Sequence, residues 1–170
     1  VAVSALKCLK ESGIRYENTE VCALLTGSEE AGLRGATAFT KRHKGENKDV
    51  ETYIIAFDTM RDYDYMTIYH RDMTGMVKNS PEVVALLDEA CNDSDVNHPL
   101  PHGVVPFGAS DAAAFSRGGF KAAAVAGQNP KYAPYYHNRR DTPDQMIPET
   151  FALGLDIALA AIEAFDRDQK

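Results

Sequence analysis

The chain has 170 residues, 44% of them hydrophobic, which is enough for one globular core burying roughly 70% of the unfolded surface. With 18 Lys+Arg against 25 Asp+Glu the net charge is −7, and the densest basic runs, Lys41-Arg42-His43-Lys44 and Arg139-Arg140, are too short for a nucleic-acid surface. No apolar run reaches the ~18 residues of a membrane span, no signal-peptide pattern is visible, and three scattered cysteines (Cys8, Cys22, Cys91) make neither a disulfide scaffold nor a zinc ribbon, so a soluble domain is expected.

Ala2, Ala5, Leu6 and Leu9 recur at helical spacing and predict an opening helix that stops at Gly13. Val21 to Leu25 is an unbroken apolar run and predicts a strand buried on both faces. After a turn at Gly27-Ser28, a helix is predicted through about His43, with Ser28 as its N-cap and Glu29 and Glu30 in its first turn. Tyr53 to Phe57 predicts a second buried strand that ends at Asp58, and Tyr65 to Tyr69 a third. Ser80-Pro81-Glu82 is a helix start, and Val83, Leu86, Leu87 and Ala90 give that helix an apolar face. Asn92 to Pro101 reads as a loop, Gly103 to Phe107 as a strand, Asp111 to Gly118 as a short helix and Lys121 to Ala126 as a strand of small residues. A long loop from Gly127 to Pro148 carries four prolines and three tyrosines, a length more often functional than idle. Pro148 then opens the last helix, whose predicted buried stripe is Leu155, Ala158, Leu159, Ile162 and Phe165.

Alternating strands and helices predict a single α/β domain, with a mixed, largely parallel sheet flanked by helices on both faces. Sites in such folds lie beyond the carboxyl ends of strands, which singles out Glu29-Glu30, Asp58 and the long loop. Each has a plain reading and a sharper one. The two glutamates can simply complement a helix dipole. Adjacent helical side chains also diverge by about 100°, so one carboxylate can bind a metal while its neighbour takes a proton from water. Asp58 can cap a turn or be a hard oxygen ligand, and His137 can be an exposed loop residue or a metal ligand walled by tyrosines. Other signals fail. His98 and His102 have i, i+4 spacing, but Pro99 and Pro101 forbid the helix that would align them. Asp93-Ser94-Asp95-Val96-Asn97 lacks the glycine and glutamate of a calcium loop. No P-loop, dinucleotide fingerprint or serine-nucleophile elbow occurs.

Taken in order, the blocks resemble the M28 zinc aminopeptidases. Leu25-Thr26-Gly27-Ser28-Glu29-Glu30-Ala31-Gly32-Leu33-Arg34-Gly35-Ala36 resembles their Glu-Glu block, and Ile54-Ile55-Ala56-Phe57-Asp58 their apolar strand ending in a metal-binding Asp. Ser110-Asp111, with Phe115 and Gly119 downstream, and Tyr136-His137 followed by Asp141-Thr142 resemble two later family segments. The resemblance implies a zinc-exopeptidase fold and a peptide substrate hydrolysed at its N-terminal bond by a metal-activated water. It implies Glu29 as general base, Glu30 and His137 as ligands of one zinc, Asp58 as ligand of a second, and Asp111, Tyr136 and Asp141 as substrate-facing or supporting residues. Tyr132, Tyr135 and Tyr136 are loop candidates for polarising the substrate carbonyl. The family's first zinc histidine and its bridging Asp fall before the opening helix, so the chain is expected to be the later part of a larger catalytic domain. It then has an incomplete ligand set, weak zinc binding and little activity alone. Two rivals stand beside this reading: a glutaminyl cyclase, whose single zinc uses the same Glu and His positions, and a non-catalytic binding module of peptidase fold.

Overall fold

The structure is a computed structural model that describes residues 1–45, 50–74, 76–106, 108–131 and 133–169. Helix α1 (Ala2–Ser12) buries Ala5 and ends where Gly13 takes φ 72°, a left-handed value that glycine adopts without strain. Next come α2 (Arg34–Arg42), β1 (Tyr53–Met60), a 3-10 turn (Tyr63–Tyr65), β2 (Met66–Asp72) and β3 (Val77–Lys78). They are followed by α3 (Pro81–Asn92), β4 (His102–Val105), α4 (Asp111–Arg117), β5 (Lys121–Gly127) and α5 (Pro148–Asp168). Helix α3 starts as its sequence dictates: Ser80 Oγ accepts the Val83 N–H and proline occupies the first turn, where its missing donor goes unneeded.

The strands form one mixed sheet in the order β1-β5-β2-β3, with β4 also paired to β2. The β1/β5 and β2/β4 pairs are parallel, and β5/β2 and β2/β3 antiparallel. Strand β5 is the hinge of the architecture. Its alternating side chains serve two cores: Ala123 and Val125 pack with Leu86, Leu87 and Ile157 of α3 and α5, while Ala122 and Ala124 pack with Ala36, Ala112 and Phe115 of α2 and α4. Helices therefore cover both faces, as the strand–helix alternation predicts, and the small residues of β5 let them approach closely.

Three expectations are corrected. Val21 to Leu25 is not a strand among the described residues: the segment has no regular structure, and Leu24 and Leu25 are 42% and 75% exposed. A strand needs a ladder partner, and among the described residues β1, the sheet's terminal strand, pairs with β5 alone. Second, α2 begins at Arg34, not at Ser28, because Gly32 and Leu33 take left-handed φ values of 98° and 55°. Glu29 and Glu30 therefore lie in a turn ahead of the helix. Third, α5 buries Leu153, Ile157, Ala158, Ala161 and Ala164, and of the predicted stripe only Ala158 is fully buried. Apolar residues surround this helix almost completely, so packing, not pattern, selects the inward face. Strand β1 also continues two residues beyond Asp58. The predicted end of the fourth strand at Phe107, and Tyr132, lie outside the described residues.

Candidate active site

The Glu29-Glu30 turn is closed by backbone bonds. Glu29 O accepts from the N–H groups of Gly32 and Leu33, Ser28 O from Arg34 and Gly27 O from Gly35. Gly35 is required here, since a Cβ would sit 2.5 Å from Gly27 O and 2.6 Å from Gly27 N, both of them backbone atoms. The start of α2 is thus pressed against the loop that carries the glutamates.

Asp58 lies in β1 where the β1/β5 register slips between Asp58 and Met60. The intervening Thr59 has φ 41°, and its Oγ1 donates to Asp58 Oδ1 at 3.1 Å. Such a bulge bends a strand and re-aims its side chains. Asp111 opens α4, and its Oδ2 accepts the Thr26 hydroxyl at 2.5 Å, which pins the glutamate loop to α4. Asp111 Oδ1 is buried without a hydrogen-bond partner among the described residues. Beneath it, the Ser110 N–H donates to Oδ2 of the fully buried Asp72.

His137 comes from the long loop. It has φ 58°, lies stacked on Tyr136 at 3.9 Å, and brings Nε2 to 2.9 Å from Glu30 Oε1. Of six non-glycine residues with positive φ among the described residues, His137 is itself a candidate and Ser28, Leu33 and Thr59 lie near the others. Strain of this kind persists only where surrounding contacts over-determine the backbone, and it gathers at functional sites.

The electrostatics show that the acids converge. Burial, then the negative charges of Asp58, Glu30 and Asp111, push the Glu29 carboxyl up from 4.5 to about 7. Asp111 is raised as well, by burial and by Asp58, against the lowering effect of the Thr26 hydrogen bond. A carboxyl poised near neutrality can take and return a proton at physiological pH. Asp141 stays exposed on the loop and its N–H donates to Asn138 O.

The fold therefore assembles Glu29, Glu30, Asp58, Asp111 and His137 from four separate segments. A cation would relieve the crowding of acids, and the Glu30–His137 contact offers the oxygen and nitrogen donors that zinc prefers. The set fits zinc in kind but not in number. No group of three or more ligating side chains is poised around one point among the described residues. Sequence reasoning missed Thr26 as a partner of Asp111, and it missed Asp72; neither residue type is distinctive in its local context.

The family model of peptidase family M28 matches residues 1–162. The chain belongs to peptidase family M28. No curated protein matches it by sequence. Among solved structures it resembles the LapA aminopeptidase of Legionella pneumophila (TM-score 0.66, 17% identity, 82% of this chain and 37% of that one). It also resembles an aminopeptidase from Aneurinibacillus sp. strain AM-1 (TM-score 0.64, 24% identity, 81% and 31%). A third match is BSAP, a zinc aminopeptidase from Bacillus subtilis (TM-score 0.64, 18% identity, 81% and 34%). At these identities the likeness is one of fold. The M28 chain spans about a third of the length of these relatives.

Proposed function

We propose that this chain is the later part of a zinc-dependent exopeptidase domain, of aminopeptidase type, that hydrolyses N-terminal peptide bonds. The observation that carries the reading is the 2.9 Å contact of Glu30 Oε1 with His137 Nε2, next in sequence to Glu29, whose carboxyl is pushed up by burial and by neighbouring acids. Glu30 and His137 would hold one zinc and Asp58 would contribute to a second. When bound, zinc supplies a Lewis acid beside the scissile carbonyl. Glu29 takes a proton from the attacking water and passes it to the leaving amine, a role typically worth about 10²–10⁴ in rate. Asp111 and Thr26 hold the Glu29 loop in place, and Tyr136 backs the His137 ring.

Two donors in contact fall short of the three protein ligands that a catalytic zinc generally has. The chain by itself is therefore expected to bind zinc more weakly than micromolar and to leave an aminoacyl-anilide uncleaved. Calorimetry with zinc and an anilide assay check both points, and tight binding with turnover would remove the claim of inactivity. In the longer catalytic domain, Glu29→Gln should abolish turnover while the metal content is kept; unchanged turnover would remove Glu29 from the mechanism. Because the Glu30–His137 contact would serve a one-zinc enzyme equally well, ring closure of an N-terminal glutamine is the reaction to assay beside hydrolysis. A binding module would turn over neither substrate.

A further inference from the structure

An ion pair between a buried Arg61 and a half-buried Asp62 lies just beyond Asp58. Arg61 is 4% exposed, and its Nε and Nη2 both donate to Asp62 Oδ2, at 2.9 and 2.5 Å. The same oxygen accepts the Asn129 N–H at 2.7 Å. The backbone N–H groups of Arg61 and Asp62 both donate to Gly127 O. The start of the long loop is thus tied to these two residues. Its far end is tied as well, since Thr150 Oγ1, in the first turn of α5, donates to Arg61 O at 3.3 Å. The middle lies across the pair, with the Arg61 guanidinium 5.6 Å from the centroid of the Tyr135 ring, two residues before His137.

Retaining arginine at this position is unfavourable for stability alone. Its Nη1 is buried with no hydrogen-bond partner among the described residues, and a methionine would fill a similar volume without leaving a charged donor unmet. What methionine lacks is the two-pronged bond to Asp62 and the cation over Tyr135. Burial pushes the Asp62 carboxyl up, but the bonds from Arg61 and Asn129 outweigh it and hold it below the usual carboxylate range.

We propose that Arg61 and Asp62 are positioning residues that fix the His137-bearing loop relative to Asp58, so that the two halves of the candidate site meet. The inference rests on the reading of His137 and Asp58 as metal ligands. The bulge at Thr59 carries the chain from Asp58 to the ion pair, so both halves are registered on the same short segment.

The test uses the metal-free chain with assigned NMR signals. In the wild type, the Tyr136 stack should shift the His137 ring protons upfield, and the Tyr136, Asn138 and Asp141 amides, bonded to Ala133, Tyr135 and Asn138 carbonyls, should be protected from exchange. Arg61→Met should abolish that ring shift and speed exchange of those amides by about tenfold or more. The amides of Ile55 and Val125 should keep their protection, which reports that the sheet is intact. Arg61→Lys, which retains the charge but not the fork, should not restore the ring shift. Tyr135→Leu leaves the ion pair whole, and it should move the His137 signals the same way by a smaller amount. Wild-type His137 signals and loop exchange in either a folded Arg61→Met or Tyr135→Leu would overturn the inference. Zinc chloride added to the wild type separates this role from the metal reading: no response at His137 removes the zinc assignment, while the metal-free exchange rates still decide the positioning role.

Discussion

Two short apolar runs of this chain, Ala122 to Ala126 and Val21 to Leu25, have similar composition and opposite fates. The first is paired on both edges, by β1 and β2, and its residues are almost completely buried. The second pairs with no strand among the described residues and leaves Leu25 75% exposed. Hydrophobic sequence supplies the drive toward burial, but a strand reaches the interior only where neighbours accept its backbone groups. The catalytic candidates divide along the same line. Asp58 and Asp111 sit on or beside the paired sheet, whereas Glu29 and Glu30 follow the unpaired run and depend on a turn, Gly35 and the Thr26–Asp111 bond for their place.

The comparison can be broken at its extremes. Val125→Asp puts an unpaired charge in the sheet centre and should cost about 4 kcal/mol or more, enough to unfold the chain. Leu25→Asp, on the exposed run, should stay within about 0.5 kcal/mol in the same urea titration. Equal effects would mean that the Val21–Leu25 run is buried after all. Gly35→Ala tests how the glutamate turn is held. The added Cβ meets Gly27 backbone, so a loss of about 1–3 kcal/mol is expected, with displaced NMR signals for Glu29 and Glu30.

The smallest effect is a dependence on pH. The Glu29 carboxyl lies at about 7 in the fold against 4.5 ordinarily, so the folded state holds its proton more tightly than the unfolded one. The stability this confers is complete below 4.5 and is lost as the pH rises through 7. Glu29→Gln cannot ionise. Relative to the wild type, it should gain on the order of 1 kcal/mol in urea melts between about pH 4 and pH 8, after allowance for solvent screening. A pH-independent difference would mean that the acids around Glu29 do not crowd it.

Much of the fold is legible in the local chemistry of the chain. Ser80-Pro81 and Pro148 mark helix starts through local chemistry alone, and both hold. Glu29, Glu30, Asp58 and His137 stand out only as an ordered set, because each residue taken singly has an ordinary explanation. Other features had no local signal. A left-handed Leu33 is not announced by its side chain, so the sequence pattern starts the helix too early. Arg61-Asp62 carries no local signal of its place, since its partners Gly127, Asn129 and Thr150 are distant in sequence. The inward face of α5 could not be read from a segment that is apolar nearly all round.

The central claim is that Glu30 and His137 form the metal half of a peptidase site beside Glu29. Cobalt(II) chloride titrated into the metal-free chain, followed by NMR, tests it most directly. Paramagnetic broadening should centre on His137 and Glu30, saturate above micromolar cobalt and be lost in His137→Ala. Broadening that begins at His70 and His102, whose rings lie 6.1 Å apart, and leaves His137 untouched would contradict it.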